Sequence, residues 1–253
     1  IRRVSGGNAT VIAGGGKIFD DAIPVAATSA ALDYPVHLAV AADGTIYFTD
    51  FNDCSVRKIT PAAQVTTVAG DGYCDYWGDG GKAIFAELST PNGVALDRSR
   101  NLLYIADSGN SLIRRVNLTT GIIDRFAGTV GYYGYSGDGG PALQAVLNNP
   151  YALAVDSSGN LYFTDSDPFN DYYGLVRKVT VNGIISTLVS STTTLNGSPL
   201  NGPSALAFDA QGNLNVAEYW NERVVRVGAG GSLSLGAGGG SGSILPRENV
   251  PAT

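Results

Sequence analysis

A six-residue phrase occurs four times in this chain of 253 residues, and this repetition limits the possible folds more than any other feature of the sequence. The phrase is Pro-x-x-[Leu/Val]-Ala-apolar. Its copies begin at Pro35, Pro91, Pro150 and Pro203, so successive copies lie 56, 59 and 53 residues apart. A period of this length indicates an array of one supersecondary unit, because each unit buries its apolar faces only against a neighbouring copy.

Each phrase opens a unit of four short β-rich runs, which we call strands A, B, C and D. Alternation of side chains with a period of two is visible in strand B at 46–49. Strand B ends in an acid in every unit, at Asp50, Asp107, Asp165 and Glu218. Because these acids recur in register, we expect them to be structural and to pair with strand-C Arg or Lys or to bond turn amides.

The units predict an all-β fold, namely a β-propeller of four-stranded antiparallel blades. A single sheet of this size leaves both faces bare, whereas sheets stacked around an axis cover one another. The alanine of each phrase fits this arrangement, because inner strands crowd toward the axis: Ala39, Ala95, Ala154 and Ala207. A β-sandwich is the alternative, but it gives no reason for the repeat.

Several segments resemble the NHL-repeat β-propellers. Residues 107–116 resemble the NHL signature, and the loop Gly137-Asp-Gly-Gly-Pro-Ala142 has a second copy at 79–83. The runs 47–50 and 162–165 are similar to the YWTD propellers of lipoprotein receptors. The histidine of the NHL signature is absent here, and Cys54, Ser111 and Glu222 stand in its place. The last unit departs furthest, with Val225 where earlier units have arginine.

The resemblance covers nearly the whole chain and implies a ring that usually has six blades. This chain supplies four complete blades, and residues 1–14 are expected to form strands C and D of another. We therefore expect a fragment of a longer chain. We treat residues 1–253 as a single propeller domain, with residues 228–253 as a Gly-rich loose strand and linker.

Charge and sequence markers narrow the functional classes. The net charge is −6, which argues against a nucleic-acid partner, and no apolar run is long enough for membrane insertion. Cys54 and Cys74 are expected to form a disulfide on one face of one blade. Sequons at Asn8, Asn117 and Asn196 predict glycosylation. Together these features favour an extracellular, secreted location.

Propeller topology places the B–C turns and the crossovers from strand D to the next strand A on one face, which we call the crossover face. Its loops are rich in aromatic residues with interspersed acids, a composition that suits contact with a protein or a sugar. The alternative is that these rings only cover blade edges. The predicted contact residues are Tyr73, Tyr76, Trp77, Tyr132, Tyr133, Tyr135, Tyr172, Tyr173, Tyr219 and Trp220.

No catalytic or metal-binding set emerges from the sequence. The one histidine, His37, aligns with small residues near the axis and is expected to be a tolerated larger side chain. We therefore expect no enzyme activity, no metal and no cofactor. The predicted function is an extracellular interaction or structural module of a larger glycoprotein, binding a protein partner or self-assembling through its aromatic loops. Carbohydrate binding is one alternative, and a propeller lyase or hydrolase is another.

Overall fold

Antiparallel β-strands make up most of the structure, which is a computed structural model. It describes residues 1–18, 24–167 and 170–238, and the side chains of residues 167–173 are not described. Short 3₁₀ turns occur at Ala27–Ser29, Ala83–Phe85, Ser108–Asn110 and Ala142–Gln144. The strands in chain order are β1 (Arg2–Ser5), β2 (Asn8–Val11), β3 (Val25–Ala26), β4 (Pro35–Val40), β5 (Ile46–Asp50), β6 (Ser55–Ile59), β7 (Gln64–Ala69), β8 (Pro91–Asp97), β9 (Leu102–Asp107), β10 (Leu112–Asn117), β11 (Ile122–Ala127), β12 (Leu153–Val155), β13 (Leu161–Asp167), β14 (Asn170–Val179), β15 (Ile185–Val189), β16 (Thr194–Leu195), β17 (Ser198–Pro199), β18 (Pro203–Phe208), β19 (Leu214–Glu218), β20 (Arg223–Val227) and β21 (Leu233–Gly238).

These strands form four antiparallel blades in a β-propeller arrangement, which confirms the predicted fold class. Blade 1 contains β4–β7, blade 2 contains β8–β11, blade 3 contains β12–β15 and blade 4 contains β18–β21. Within each blade, sequential strands are neighbours. Strands β1 and β2 pair as a separate two-stranded hairpin, and β16 pairs with β17 in the same way.

The hydrophobic core consists of layers between successive blades. Ile113, Leu147 and Phe163 are fully buried in the layer that joins blades 2 and 3. A matching layer joins blades 1 and 2, another joins blades 3 and 4, and a fourth packs the N-terminal segment on blade 1. Each blade therefore depends on its neighbours for burial, as the repeat predicts.

The A strands of the four blades meet around a central channel of about 610 Å³. The alanines of the repeated phrase line it, together with their apolar neighbours. His37 lies at the start of the first A strand and packs edge-on against Tyr151, with ring centroids 5.3 Å apart. Burial lowers the pKa of His37.

Three crossovers connect the blades: 70–90 (the 1–2 crossover), 128–149 (the 2–3 crossover) and 190–202 (the 3–4 crossover). The first two run along the outer edge of the next blade and bond its strand D. In blade 2, Gly80 N donates to Ile123 O at 2.8 Å, and in blade 3, Gly139 N donates to Ile185 O at the same distance. Strand β3 covers β7 of blade 1 in the same way. These additions cap edges that would otherwise offer unpaired amides.

Blade 4 is built differently on this edge. The 3–4 crossover folds into the β16–β17 hairpin, and within the described residues no strand pairs with the outer edge of β21. Strand β21 pairs with β20 with one register shift at Val224/Val225, as the C–D pairs of the other three blades also do, so the first part of the predicted Gly-rich segment forms a strand D like theirs. Residues 239–253 of that segment lie outside the described residues.

Candidate interaction surface

A disulfide joins Cys54, in the B–C turn of blade 1, to Cys74 in the 1–2 crossover. Their Cα atoms are 5.4 Å apart, within the usual range for such a bridge. Cys54 has a positive φ of 47°, as do Ser111 and Glu222 at the matching turn positions. The bridge fixes the start of the crossover to blade 1 and places both elements on the crossover face.

The far part of the 1–2 crossover is held by Arg114, a fully buried strand-C residue of blade 2. Asp79 of the crossover lies 2.7 Å from Arg114 Nη2, and the guanidinium also donates to the carbonyl of Trp77 at 3.2 Å. The strand-B acid Asp107 lies 3.4 Å away on the other side. The Tyr76 ring covers the guanidinium, 5.0 Å from its carbon, and the Tyr76 hydroxyl donates to Asp79.

Blade 3 repeats this arrangement with different residues from the 2–3 crossover. Arg177 is fully buried, lies 2.9 Å from Asp138 and donates to the carbonyl of Ser136 at 2.8 Å. The Tyr135 ring lies 4.9 Å from its guanidinium carbon, and the Tyr135 hydroxyl donates to Asp138. The motif Tyr-x-Gly-Asp-Gly-Gly thus binds a buried arginine of the following blade, which we call the arginine cage.

The glycine before the cage aspartate is required by geometry. Gly78 has φ +94° and Gly137 has φ +95°, conformations that favour glycine. A Cβ on Gly78 would lie 2.8 Å from the Cα of Ala86, and one on Gly137 would lie 2.6 Å from the Cα of Ala145. The crossover backbone therefore passes over itself at these points, with no room for a side chain.

The strand-B acids are buried structural groups, in agreement with the sequence analysis. Asp50 pairs with Arg57 at 2.8 Å, and Glu218 pairs with Arg223. Burial raises the pKa of Asp107 to about 6 and that of Asp165 to about 7, outweighing the nearby arginines. Asp138 is more open, and there the bonds from Arg177 and Thr187 outweigh burial and lower its pKa.

The predicted contact rings divide into two groups. Tyr76 and Tyr135 belong to the arginine cages, so their principal contacts serve the scaffold. The others described are well exposed, up to 79% for Tyr133. This exposed set, which we call the ring set, contains Tyr73, Trp77, Tyr132, Tyr133, Tyr219 and Trp220.

The ring set is spread over three loops of the crossover face. Trp77 directly follows the cage residue Tyr76, and Tyr133 lies two residues before Tyr135. Tyr219 and Trp220 contact each other edge-on in the B–C turn of blade 4, with centroids 4.8 Å apart. The side chains of Tyr172 and Tyr173 lie outside the part that the structure describes.

The sequence analysis missed the arginine cages because they join residues far apart in the chain. The available signal was the shared spacing of Tyr, Gly and Asp in both crossovers, which the sequence analysis used only as a mark of the NHL resemblance. The sequence analysis also noted Val225 where earlier units have arginine, and found no arginine to take that role in blade 4. In the structure Arg223, two residues earlier and on the same face of strand C, pairs with the longer Glu218.

The three sequons occupy different settings. Asn8 is exposed just after the β1–β2 turn, and Asn196 is exposed in the tight turn between β16 and β17. Asn117 is half-buried at the end of β10, where its Oδ1 accepts bonds from the amides of Thr119 and Thr120. Glycosylation at these sites stays a prediction.

The repeat, the blade geometry and the recurring pairing of a strand-B acid with a strand-C arginine point to one family. The NHL repeat model matches residues 88–115, and the model for the teneurin NHL domain matches residues 132–216. The chain is an NHL-repeat β-propeller.

Curated proteins similar to this chain come from an animal and from a plant. Mouse teneurin-3 is 34% identical over 177 residues, which is 66% of this chain but 6% of the mouse protein. The Arabidopsis thaliana protein SUPPRESSOR OF QUENCHING 1, chloroplastic, is 37% identical over 91 residues, 36% of this chain and 8% of that protein. The chain therefore spans a small fraction of the length of the curated relatives it matches.

A solved streptogramin B lyase superposes with a TM-score of 0.52 at 14% identity, covering 79% of this chain and 53% of the lyase. A likeness at this identity extends to the fold alone. Among the described residues, no group of three or more His, Cys, Asp or Glu is placed to hold a metal ion. None of the described helical segments has the length and apolar character needed to cross a bilayer.

Proposed function

We propose that this NHL propeller is an extracellular interaction module that binds a protein partner through the ring set on its crossover face. The observation that carries the proposal is the exposure of Trp77 and Tyr133 on loops fastened to the blades. Trp77 is 63% exposed although its own carbonyl is bonded by a buried arginine. Tyr and Trp offer large contact areas with few rotatable bonds, so a fixed loop loses little entropy on binding.

The extracellular location rests on three supports. The Cys54–Cys74 disulfide is typical of oxidising compartments, and sequons occur at Asn8, Asn117 and Asn196. Teneurins, which the chain resembles over two thirds of its length, are cell-surface proteins.

No catalytic role is part of the proposal. The strand-B acids that recur in every blade are engaged by arginines or amides, for example Asp107 by Arg114, Asn110 and the amide of Ser89. Catalytic acids need room for a substrate beside them, and the carboxyls of Asp50, Asp107 and Glu218 are buried.

The test uses the chain as a labelled tetramer against an array of extracellular domains, with a second copy of the chain and a glycan array as separate arms. The double variant Trp77→Ala, Tyr133→Ala is the probe. Val181→Ala is the matched control, because Val181 is 50% exposed in the β14–β15 turn on the opposite face. We expect binding to one protein that the double variant loses and the control keeps. Binding confined to the glycan arm, or binding that the double variant retains, would contradict the proposal.

A further inference from the structure

A cavity of about 230 Å³ opens on the crossover face at the seam between blades 3 and 4. Asn149, Tyr151 and Ser166 line it from blade 3. Ser204 and Tyr219 line it from blade 4. Tyr219 is also a member of the ring set, so the cavity adjoins the surface proposed to bind a partner.

At the other two seams, between blades 1 and 2 and between blades 2 and 3, a side-chain hydrogen bond joins the two blades near the start of strand A. Between blades 1 and 2, the Thr49 hydroxyl donates to Asn92 O at 2.7 Å. Between blades 2 and 3, the Ser108 hydroxyl donates to Pro150 O at 2.5 Å. At the third seam Thr164 occupies the position of Thr49 but bonds the amide of Ala152 in its own blade, and among the described residues no side-chain bond from Thr164 or Ser166 reaches β18. The third seam is therefore open where the others are sealed.

One carboxylate oxygen at the open seam lacks a hydrogen-bond donor. Asp165 lines the cavity, and its Oδ2 is buried without a hydrogen bond, since the nearest arginine nitrogen, on Arg177, is 3.6 Å away.

The neighbouring blades show what is missing. In blade 2 the equivalent oxygen of Asp107 accepts from Asn110 at 2.9 Å, and in blade 4 Glu218 accepts from Asn221 at 2.6 Å. Three residues after Asp165, the position of that asparagine in blades 2 and 4, the sequence has Pro168. A buried acceptor without a donor is costly, so this seam favours a ligand that brings donors.

We propose that this seam pocket receives a basic side chain, lysine or arginine, presented by the protein partner. The proposal rests on the proposed function and names the chemistry of the anchor. An ammonium or guanidinium group carries donors and no acceptors, which complements the carboxyl of Asp165. Tyr151 and Tyr219 supply rings for cation–π contact. None of the described residues that line the pocket is Lys or Arg, and the net charge of −6 attracts cations.

The test is an NMR titration of the whole chain with N-acetyl-arginine amide and N-acetyl-lysine amide at physiological salt. N-acetyl-citrulline amide is the neutral isostere, and methyl glycosides test for a sugar. We expect saturable shifts at Ser166, Gly174 and Ser204 with a millimolar dissociation constant for the two basic compounds. Tyr219→Ala should weaken this binding about fivefold or more. Val181→Ala, at an exposed position on the opposite face and outside both the pocket and the ring set, should leave it unchanged.

Three results would overturn the pocket: shifts scattered over the acidic surface, equal binding of citrulline amide, or preference for the glycosides. The two proposals fail separately. Loss of partner binding in the Trp77→Ala, Tyr133→Ala variant with no response to arginine amide rejects the pocket but keeps the interaction surface. Binding of arginine amide with no protein partner for the crossover face rejects the proposed function instead.

Discussion

Blades 3 and 4 hold their strand-C arginines in contrasting ways. In blade 3 the incoming crossover supplies Tyr135 and Asp138, which enclose Arg177 and fasten the loop. In blade 4 the crossover supplies only backbone carbonyls, from Leu195 and Ser198, to Arg223. The first arrangement fixes a long loop that carries exposed rings, Tyr132 and Tyr133. The second holds a short hairpin, and the exposed rings of blade 4 lie instead in its B–C turn, at Tyr219 and Trp220.

The difference shows how this propeller separates scaffold from surface within a few residues. Tyr76 and Trp77 are adjacent, yet one ring covers a buried guanidinium and the other faces solvent. A loop that is fixed at several points loses most of its conformational entropy during folding, so it loses less entropy when a partner binds. Loops on a rigid framework are also where binding residues are usually found.

The strongest challenge to this comparison is removal of a cage arginine. Arg177→Met leaves Asp138 and Asp165 beside a neutral side chain, and removing one member of a buried pair costs about 3–5 kcal/mol. We expect a matching loss in the free energy of unfolding, measured with urea. Arg226→Met in blade 4 is the control, because Arg226 is half-exposed and lies 3.9 Å from Asp209. An equal loss in the two variants would mean that the arginine cage adds nothing to the free energy of unfolding beyond an exposed ion pair.

The disulfide gives the next largest expected effect. It closes a loop with a sequence separation of 20 residues, so the variant Cys54→Ser, Cys74→Ser should lose about 3 kcal/mol of unfolding free energy. Hydrogen exchange should accelerate at 71–77 and stay unchanged in the 2–3 crossover, which has no disulfide. Uniform acceleration in both crossovers would show that the bridge does not act locally.

A pair of glycine variants tests whether the close approach of the crossover backbone to itself requires a glycine. Gly137→Ala meets both a positive φ and the backbone of Ala145, whereas Gly139→Ala has a positive φ of 81° but open space. We expect Gly137→Ala to cost about 1–3 kcal/mol and Gly139→Ala to cost less. Thermal unfolding compares the two, and equal losses would argue against the close approach at Gly137.

The smallest expected effect is on pH dependence. The pKa of Asp165 is raised to about 7 and that of Asp107 to about 6, both above their unfolded values. The folded state then binds more protons at these carboxyls near neutral pH, so the free energy of unfolding falls as pH rises. From pH 6.5 to 8 the loss should be about 1 kcal/mol. Asp165→Asn should remove most of it, and an unchanged slope in that variant would reject the assignment.

The sequence predicted the parts of the fold that repeat locally. The run predicted at 46–50 is β5, and the acid that ends each strand B is paired with a strand-C arginine. These two predictions are correct because the alternation of side chains and the acid recur at the same positions in each unit. Comparing one unit with the next reveals them.

Contacts between distant segments could not be read in the same way. The cage links Asp79 to Arg114 and Asp138 to Arg177. These pairs are 35 and 39 residues apart because blade 3 has an insertion after Asp165, so no fixed spacing predicts the cage. The exchange of Val225 for Arg223 preserves an ion pair only because residues two apart share a strand face. Whether a given tyrosine is caged or exposed depends on these contacts, and composition alone assigned Tyr76 and Trp77 to the same group.

The central claim is that the ring set, and not the rest of the propeller surface, carries binding. Surface plasmon resonance with the partner identified on the extracellular array tests it most directly. Trp77→Ala with Tyr133→Ala should weaken binding by about 100-fold or more, as loss of two aromatic hot spots does, without lowering the melting temperature. Val181→Ala should bind like the original chain. Retained affinity in the double variant, or an equal loss in Val181→Ala, would contradict the claim.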